Sequence, residues 1–125
     1  MEILHIEGTR STPEIHFDPV DRVLRIAGES YPENSFAFYQ PLQAWIAEFL
    51  SENSGAVVLN IGLSYLNTGS TKCLLDILDL FEEAFVTGRD ITVDWHCDRD
   101  NDRAVEAAEE FAEEVTMPFN IIPIN

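Results

Sequence analysis

Residues 56–63 change hydrophobic period at their C-terminal end, and few architectures accommodate that change. Val57, Leu59, Ile61 and Leu63 fall on one face of a strand, with Val58, Asn60 and Gly62 on the other. Within ten residues the period becomes helical. Leu74, Ile77, Leu78, Phe81, Ala84 and Phe85 form a stripe, with Asp76, Asp79, Glu82 and Glu83 facing outward and Gly88 as a stop. The pair then repeats. Residues 90–97 alternate Ile91, Val93, Trp95 and Cys97 against Thr92, Asp94 and His96. A helix follows from about 101 to 114, on Ala104, Ala107, Ala108, Phe111 and Val115, and residues 119–124 make a final strand. Strands alternating with helices of this length predict parallel pairing through helical crossovers.

The first third adds antiparallel strands. Residues 2–6, 14–18 and 22–28 read as extended, the last two joined by the turn sequence Asp18-Pro19-Val20-Asp21. A first helix carries Phe38, Leu42, Trp45, Ile46, Phe49 and Leu50, with Asn34 or Ser35 as its cap and Asn53-Ser54-Gly55 as its end. Pro41 means that this helix either begins near residue 41 or kinks there. The expected fold is one α/β domain over residues 1–125, with a mixed sheet and three main helices. The half-polar faces of the central strands predict a sheet covered well on one side and thinly on the other.

Charge narrows the partners. The 125 residues carry 23 Asp and Glu against 7 Lys and Arg, a formal charge of −16. Nucleic acid and anionic membranes are disfavoured, since binding them takes clustered Lys and Arg. Basic or amphipathic proteins fit better. No stretch is long and apolar enough to span a bilayer, and Met1-Glu2-Ile3-Leu4-His5 lacks the regions of a signal peptide. Cys73 and Cys97 are expected as buried or half-buried free thiols in a reducing cytoplasm.

The run Tyr65-Leu66-Asn67-Thr68-Gly69-Ser70-Thr71-Lys72 lies where the strand over 56–63 gives way to the second helix. It gathers hydroxyls, a glycine and a cation at a helix N-terminus, where open amides and the helix dipole favour an anion. No catalytic base is near. The run reads as a place where a phosphate is added and removed, with Thr68 as acceptor. The plainer reading is that Asn67, Thr68 or Ser70 simply caps the helix. The two are compatible. Tyr31-Pro32-Glu33-Asn34 is a second candidate surface, an aromatic beside a rigid proline, although such a loop also serves merely to connect a strand to a helix.

Two other chemistries fit poorly. Asp98, Asp100, Asp102 and Glu109 match positions 1, 3, 5 and 12 of a calcium loop, but the sixth position, which needs glycine, holds Arg103. Asp100 or Asn101 as a helix cap is simpler. Catalysis would need Thr68 or Ser70 paired with His96, and no nucleophile elbow, phosphate-binding loop or Cys–His spacing is present. Neither an enzyme nor a bound metal or cofactor is expected.

Several pieces also match a known family. They are Ser11-Thr12-Pro13, Ser30-Tyr31-Pro32-Glu33-Asn34-Ser35, Tyr65-Leu66-Asn67-Thr68, Asp76-Ile77-Leu78-Asp79-Leu80, Trp95-His96, and Ala108-Glu109-Glu110-Phe111 leading to Pro118-Phe119. In this order and over nearly the whole length, the chain resembles the SiaC-type regulatory phosphoproteins of bacterial biofilm and cyclic-di-GMP signalling. The resemblance implies a STAS-like fold akin to the anti-sigma-factor antagonists, and a partner switch. A Ser/Thr protein kinase would phosphorylate Thr68, and a PP2C-type phosphatase would remove the phosphate. The unmodified form would bind and activate a diguanylate cyclase, through Leu66, Asn67, Gly69, Ser70 and the loop of Tyr31, Pro32, Glu33 and Asn34. Gly69 departs from the family pattern, which has a second serine there. The rival reading is a constitutive binding or small-ligand-sensing module that is never phosphorylated.

Overall fold

The computed structural model describes residues 1–52 and 54–124. Its elements are β1 (Leu4–Ile6), β2 (Glu14–Asp18), β3 (Val23–Ser30), α1 (Ser35–Glu52), β4 (Val57–Leu66), α2 (Thr68–Val86), β5 (Ile91–Asp98), α3 (Asp102–Glu113) and β6 (Phe119–Ile124). The six strands form one sheet in sequence order. β1, β2 and β3 pair antiparallel, and β3 to β6 pair parallel. The mixed α/β fold with three helices is as the hydrophobic periods predict.

Every crossover steps the same way along the sheet, so right-handed connections put all three helices on one face. The core agrees. One hydrophobic cluster joins Leu42, Ile46 and Phe49 of α1, Leu74, Ile77 and Phe81 of α2, and Ala108 and Phe111 of α3 to Leu59, Ile61, Val93 and Trp95 of the sheet. The opposite face carries an in-register row, His5, His16, Arg25, Asn60, Asp94 and Asn120, that none of the described helices covers. Trp95 stacks between Phe111 and Phe119 and ties α3 to β6.

The start of α1 falls where the sequence reading put its cap, and two strand ends do not. α1 starts at Ser35, capped by Asn34, whose Oδ1 accepts the Ala37 amide at 3.0 Å. Pro41 therefore lies inside the helix, which excludes the alternative of a start near residue 41. α1 ends at Glu52, directly before the expected stop Asn53-Ser54-Gly55, of which residue 53 lies outside the described residues. The helix end is held instead by arginines from elsewhere: Arg22 donates to the Ser54 carbonyl, and Arg89 to those of Leu50 and Gly55. Cations there suit the negative pole of a helix with no basic residue in its last turn.

The other two boundaries share one cause. β3 reaches Ser30 and β4 reaches Leu66, past the expected ends at 28 and 63, through a bulge. Gly28 pairs with Leu63 and Glu29 with Tyr65, so Ser64 is extra. Gly28 has φ of +123°, a backbone that side chains rarely adopt. The extra residue moves the inward phase of β4 from odd to even positions. Leu66 then packs on the core while Tyr65 is exposed.

Candidate phospho-acceptor turn

The N-termini of α1, α2 and α3 all lie at the carboxyl edge of the parallel strands, and the acceptor run occupies the middle of that edge. Asn67 is the N-cap of α2. Its Oδ1 accepts the Ser70 amide at 2.8 Å, and its own amide donates to the Ser30 carbonyl at 2.9 Å. Its Nδ2 donates to the Pro32 carbonyl at 3.4 Å. One residue thus pins the α2 turn to the end of β3 through its backbone and to the 31–34 loop through its side chain. Of the three capping candidates, the structure selects Asn67. At the start of α3 it selects Asn101, whose Oδ1 accepts the Ala104 amide.

Thr68 is the first residue of α2 and is exposed, as is Gly69. Ser70 is not. It is fully buried, so its expected place among surface contacts is corrected. The rotation of α2 that turns Thr68 outward turns the residue two positions later inward. There its hydroxyl joins a buried chain, accepting from Ser30 at 2.7 Å, with the Tyr39 hydroxyl 2.7 Å from Ser30 Oγ. Ser35 lies 3.4 Å from Ser70 Oγ and donates weakly to Asn67 Oδ1 at 3.3 Å. Burial pushes the Tyr39 phenol up to about 12, against the opposing pull of its bonds to Ser30 and Ser70. Buried hydroxyls without partners cost stability, and these satisfy one another.

Around Thr68 the surface is aromatic. Tyr65 is 47% exposed and packs edge-on against Tyr31, ring centroids 5.7 Å apart. The two candidate segments, 31–34 and 65–70, are therefore brought together. Phe36 is 66% exposed on the first turn of α1. With Pro32, Asn34, Gly69 and Lys72 it lines a shallow hollow beside the turn. Sequence reasoning missed Phe36. The available signal was that it falls out of phase with the stripe begun at Phe38.

The electrostatics favour an anion less simply than the sequence suggests. Lys72, the nearest cation in sequence, is paired with Asp76 at 3.1 Å, and both are well exposed. The positive charge at this site is then mainly the pole of α2. Cys73 and Cys97 are buried free thiols, as expected, and burial followed by the carboxylates of Asp76 and Asp98 pushes both up. Such thiols are poor nucleophiles. The serine–histidine assembly also fails geometrically. His96 lies between inward-facing Trp95 and Cys97, so it sits on the open face, while Ser70 is buried on the helix side. Among the described residues no group of three or more His, Cys, Asp or Glu side chains is placed to hold a metal ion. Likewise, none of the described helices is long and apolar enough to cross a membrane.

Residues 6–124 match the model of the SiaC family of regulatory phosphoproteins. The chain belongs to that family. A protein of Pseudomonas aeruginosa strain UCBPP-PA14 is 46% identical over 121 residues, covering 97% of this chain and 96% of the relative. Apo-SiaC of P. aeruginosa superposes with a TM-score of 0.93 at 44% identity, covering 98% of this chain and 99% of that one. SiaC bound as activator to the P. aeruginosa diguanylate cyclase SiaD superposes equally well, at 45% identity and 97% and 99% coverage. This SiaC-family member therefore shares its fold with proteins solved both free and bound to a cyclase.

Proposed function

We propose that this chain is a phosphorylation-controlled activator of a diguanylate cyclase, and that Thr68 is its switch. The reading rests on one observation: Thr68 is exposed at the positive end of α2, three residues after the exposed Tyr65, on a turn anchored by Asn67. SiaC of P. aeruginosa, 45% identical, is described as the activator of the cyclase with which it forms a complex. In the unmodified form Tyr31, Pro32, Glu33, Asn34, Leu66, Asn67 and Gly69 contact the cyclase, with Phe36 added to the set. A Ser/Thr kinase transfers the γ-phosphoryl group of ATP to the Thr68 hydroxyl, releasing ADP and a proton. A PP2C-type phosphatase hydrolyses the ester and restores the hydroxyl. The chain itself catalyses nothing and works in the cytoplasm.

Physical chemistry gives the switch its sign. Against a charge of −16, another −1.5 to −2 or so changes little globally. Locally it cancels the pole of α2 and places a dianion where a partner would exclude water, which is costly unless matched. About 3 kcal/mol suffices for a hundredfold loss of affinity. Thr68→Ala is expected to bind the cyclase constitutively, and Thr68→Asp or Thr68→Glu to bind at least tenfold more weakly, by calorimetry. Acidic variants that bind as tightly as Thr68→Ala, with the fold intact, rule out Thr68 as the switch. Intact-mass spectrometry of protein from its native cell is expected to show one phosphate mapping to Thr68. An unmodified chain carrying a small molecule favours a ligand sensor instead.

A further inference from the structure

The strand registers lay out the open face of the sheet in three rows. One is Asp18, Val23, Val58 and Thr92. The middle row runs from His5 through His16, Arg25, Asn60 and Asp94 to Asn120. In the third, Glu14, Ala27 and Gly62 lead to His96, next in register on β5, and on to Ile122. All of these residues are half-buried or exposed. Among the described residues no ion pair lies on this face, since the one that forms joins Lys72 to Asp76 on α2. Asp94 accepts from Asn120 at 2.9 Å, and His16 packs edge-on against His5. The side chains of Arg25, Glu14 and His96 have no polar partner among the described residues.

We infer that the open face is the interface of a homodimer, with two copies of the chain packed sheet to sheet about a twofold axis parallel to the strands and between β3 and β4. The inference goes beyond the switch proposed above and does not rest on it. Charge complementarity selects a second copy as the occupant. The axis lays β2 on β5 and β3 on β4 of the other copy and leaves every row at its own level. His16 then meets the partner's Asp94, and Glu14 meets the partner's His96. Arg25 faces the partner's Asn60, Asp18 the partner's Thr92, and Val23 the partner's Val58. Ala27 lies against the partner's Gly62, so the centre is low enough for the sheets to approach to about 10 Å. Other axes fit worse. An axis along the middle row sets Arg25 on the partner's Arg25 and Asp94 on the partner's Asp94. An axis moved onto β4 pairs Arg25 with the partner's Asp94, but it sets Glu14 against the partner's Ile122 and leaves β1 uncovered.

Size and charge set the strength. Six strands and three rows make a face of roughly 25 by 20 Å, at the low end for a specific interface, so the affinity is expected to be micromolar. The formal charge of −16 on each copy opposes association. The helices, whose only cations are Lys72 and Arg103, face away from the partner, and at about 0.15 M salt the screening length of about 8 Å confines their repulsion. Because the axis is parallel to the strands, both Thr68 turns lie at the same end of the dimer, outside the interface.

The test is sedimentation velocity of the whole chain over the micromolar range at about 0.15 M salt, with fold checked by circular dichroism and melting. The parent is expected to show a monomer–dimer equilibrium. His16→Asp sets acid against acid and Asp94→Lys sets base against base, so each alone is expected to weaken self-association at least tenfold. An equimolar mixture of the two restores an acid–base match at both contacts and is expected to dimerise like the parent. Gly62→Trp wedges the centre and is expected to abolish the dimer, with Ala27→Trp in its place if that variant unfolds. Glu83→Lys, on the helix side, is expected to change the affinity less than twofold. A parent that stays monomeric overturns the proposal, as do folded His16→Asp and Asp94→Lys variants that dimerise like the parent. A mixture no tighter than either variant alone overturns the axis between β3 and β4.

Discussion

Thr68 and Ser70 are neighbours in sequence with opposite fates, and the difference is enforced by the hydroxyl chain beneath the turn. Ser70, Ser30 and Tyr39 are buried and bonded to one another, so the turn that exposes Thr68 is fastened to α1 and β3. Tyr39 also makes the molecule sensitive to alkali. Its phenol ordinarily ionises near 10.0 and in the folded state near 12. Below pH 10 both states are neutral and the fold retains its full stability. Between about pH 10 and pH 12 the unfolded chain ionises first, and roughly 3 kcal/mol is lost. Tyr39→Phe is expected to remove that decline in urea titrations at rising pH, while costing about 1 kcal/mol at pH 7 from the lost hydrogen bond. A wild-type decline that persists unchanged in Tyr39→Phe assigns it to another group.

Between elements, the tightest approach near the site is that of α1 to α2. A Cβ on Gly69 would stand 2.7 Å from Ser35 Oγ and 3.0 Å from Ser35 Cβ. Gly69 is thus what lets the N-terminus of α1 lie against that of α2, and a serine in its place requires Ser35 to move. Gly69→Ser is expected to destabilise by about 1 to 2 kcal/mol, and Ser35→Ala to recover part of the loss in the double variant. Purely additive losses by urea denaturation contradict that contact. This scale also shows why some element ends were illegible. The strand over 56–63 read as ending early because the bulge at Ser64 reverses its alternation. Pro41 left open whether α1 begins near it or runs through it, and packing here keeps it inside the helix.

At the scale of the molecule, one carboxylate fastens the last strand to the helix layer. Glu82 of α2 accepts from the Thr116 amide at 2.9 Å, the Met117 amide at 3.1 Å and the Thr116 hydroxyl, just before β6. Burial alone would raise its carboxyl. The bonds from Thr116 and Met117 outweigh that and hold it below the usual range. Its contribution is therefore present above the unfolded value near 4.5 and disappears as pH falls through the lower, folded one. Glu82→Gln is expected to melt lower than the parent at pH 7, with the gap closing as the parent is acidified below its carboxylate range. A gap that stays constant to pH 2 argues against this link. The one-sided helix layer is a property of the whole as well: it leaves the polar row from His5 to Asn120 open and brings the starts of all three helices to one edge, with Thr68 at its centre.

The order of elements, the α/β class and the place of the Tyr65–Lys72 run at a helix start follow from the sequence by itself, because hydrophobic period is local and each period has one compatible backbone. The capping residue, the inward turn of Ser70, the exposure of Phe36 and the joining of Tyr31 to Tyr65 were decided by tertiary structure. Each depends on how far an element is rotated about its axis when it packs. That rotation is set by contacts between residues more than 30 positions apart, such as Ser30 with Ser70 and Asn67 with Pro32. The groove lined by Leu66 and by Thr71 and Leu75 of α2 and Ala107 and Phe111 of α3 belongs to the same class. Ala104 and Ala107 read as an ordinary buried stripe, and only the packing of the helices shows that Ala107 lines an open groove.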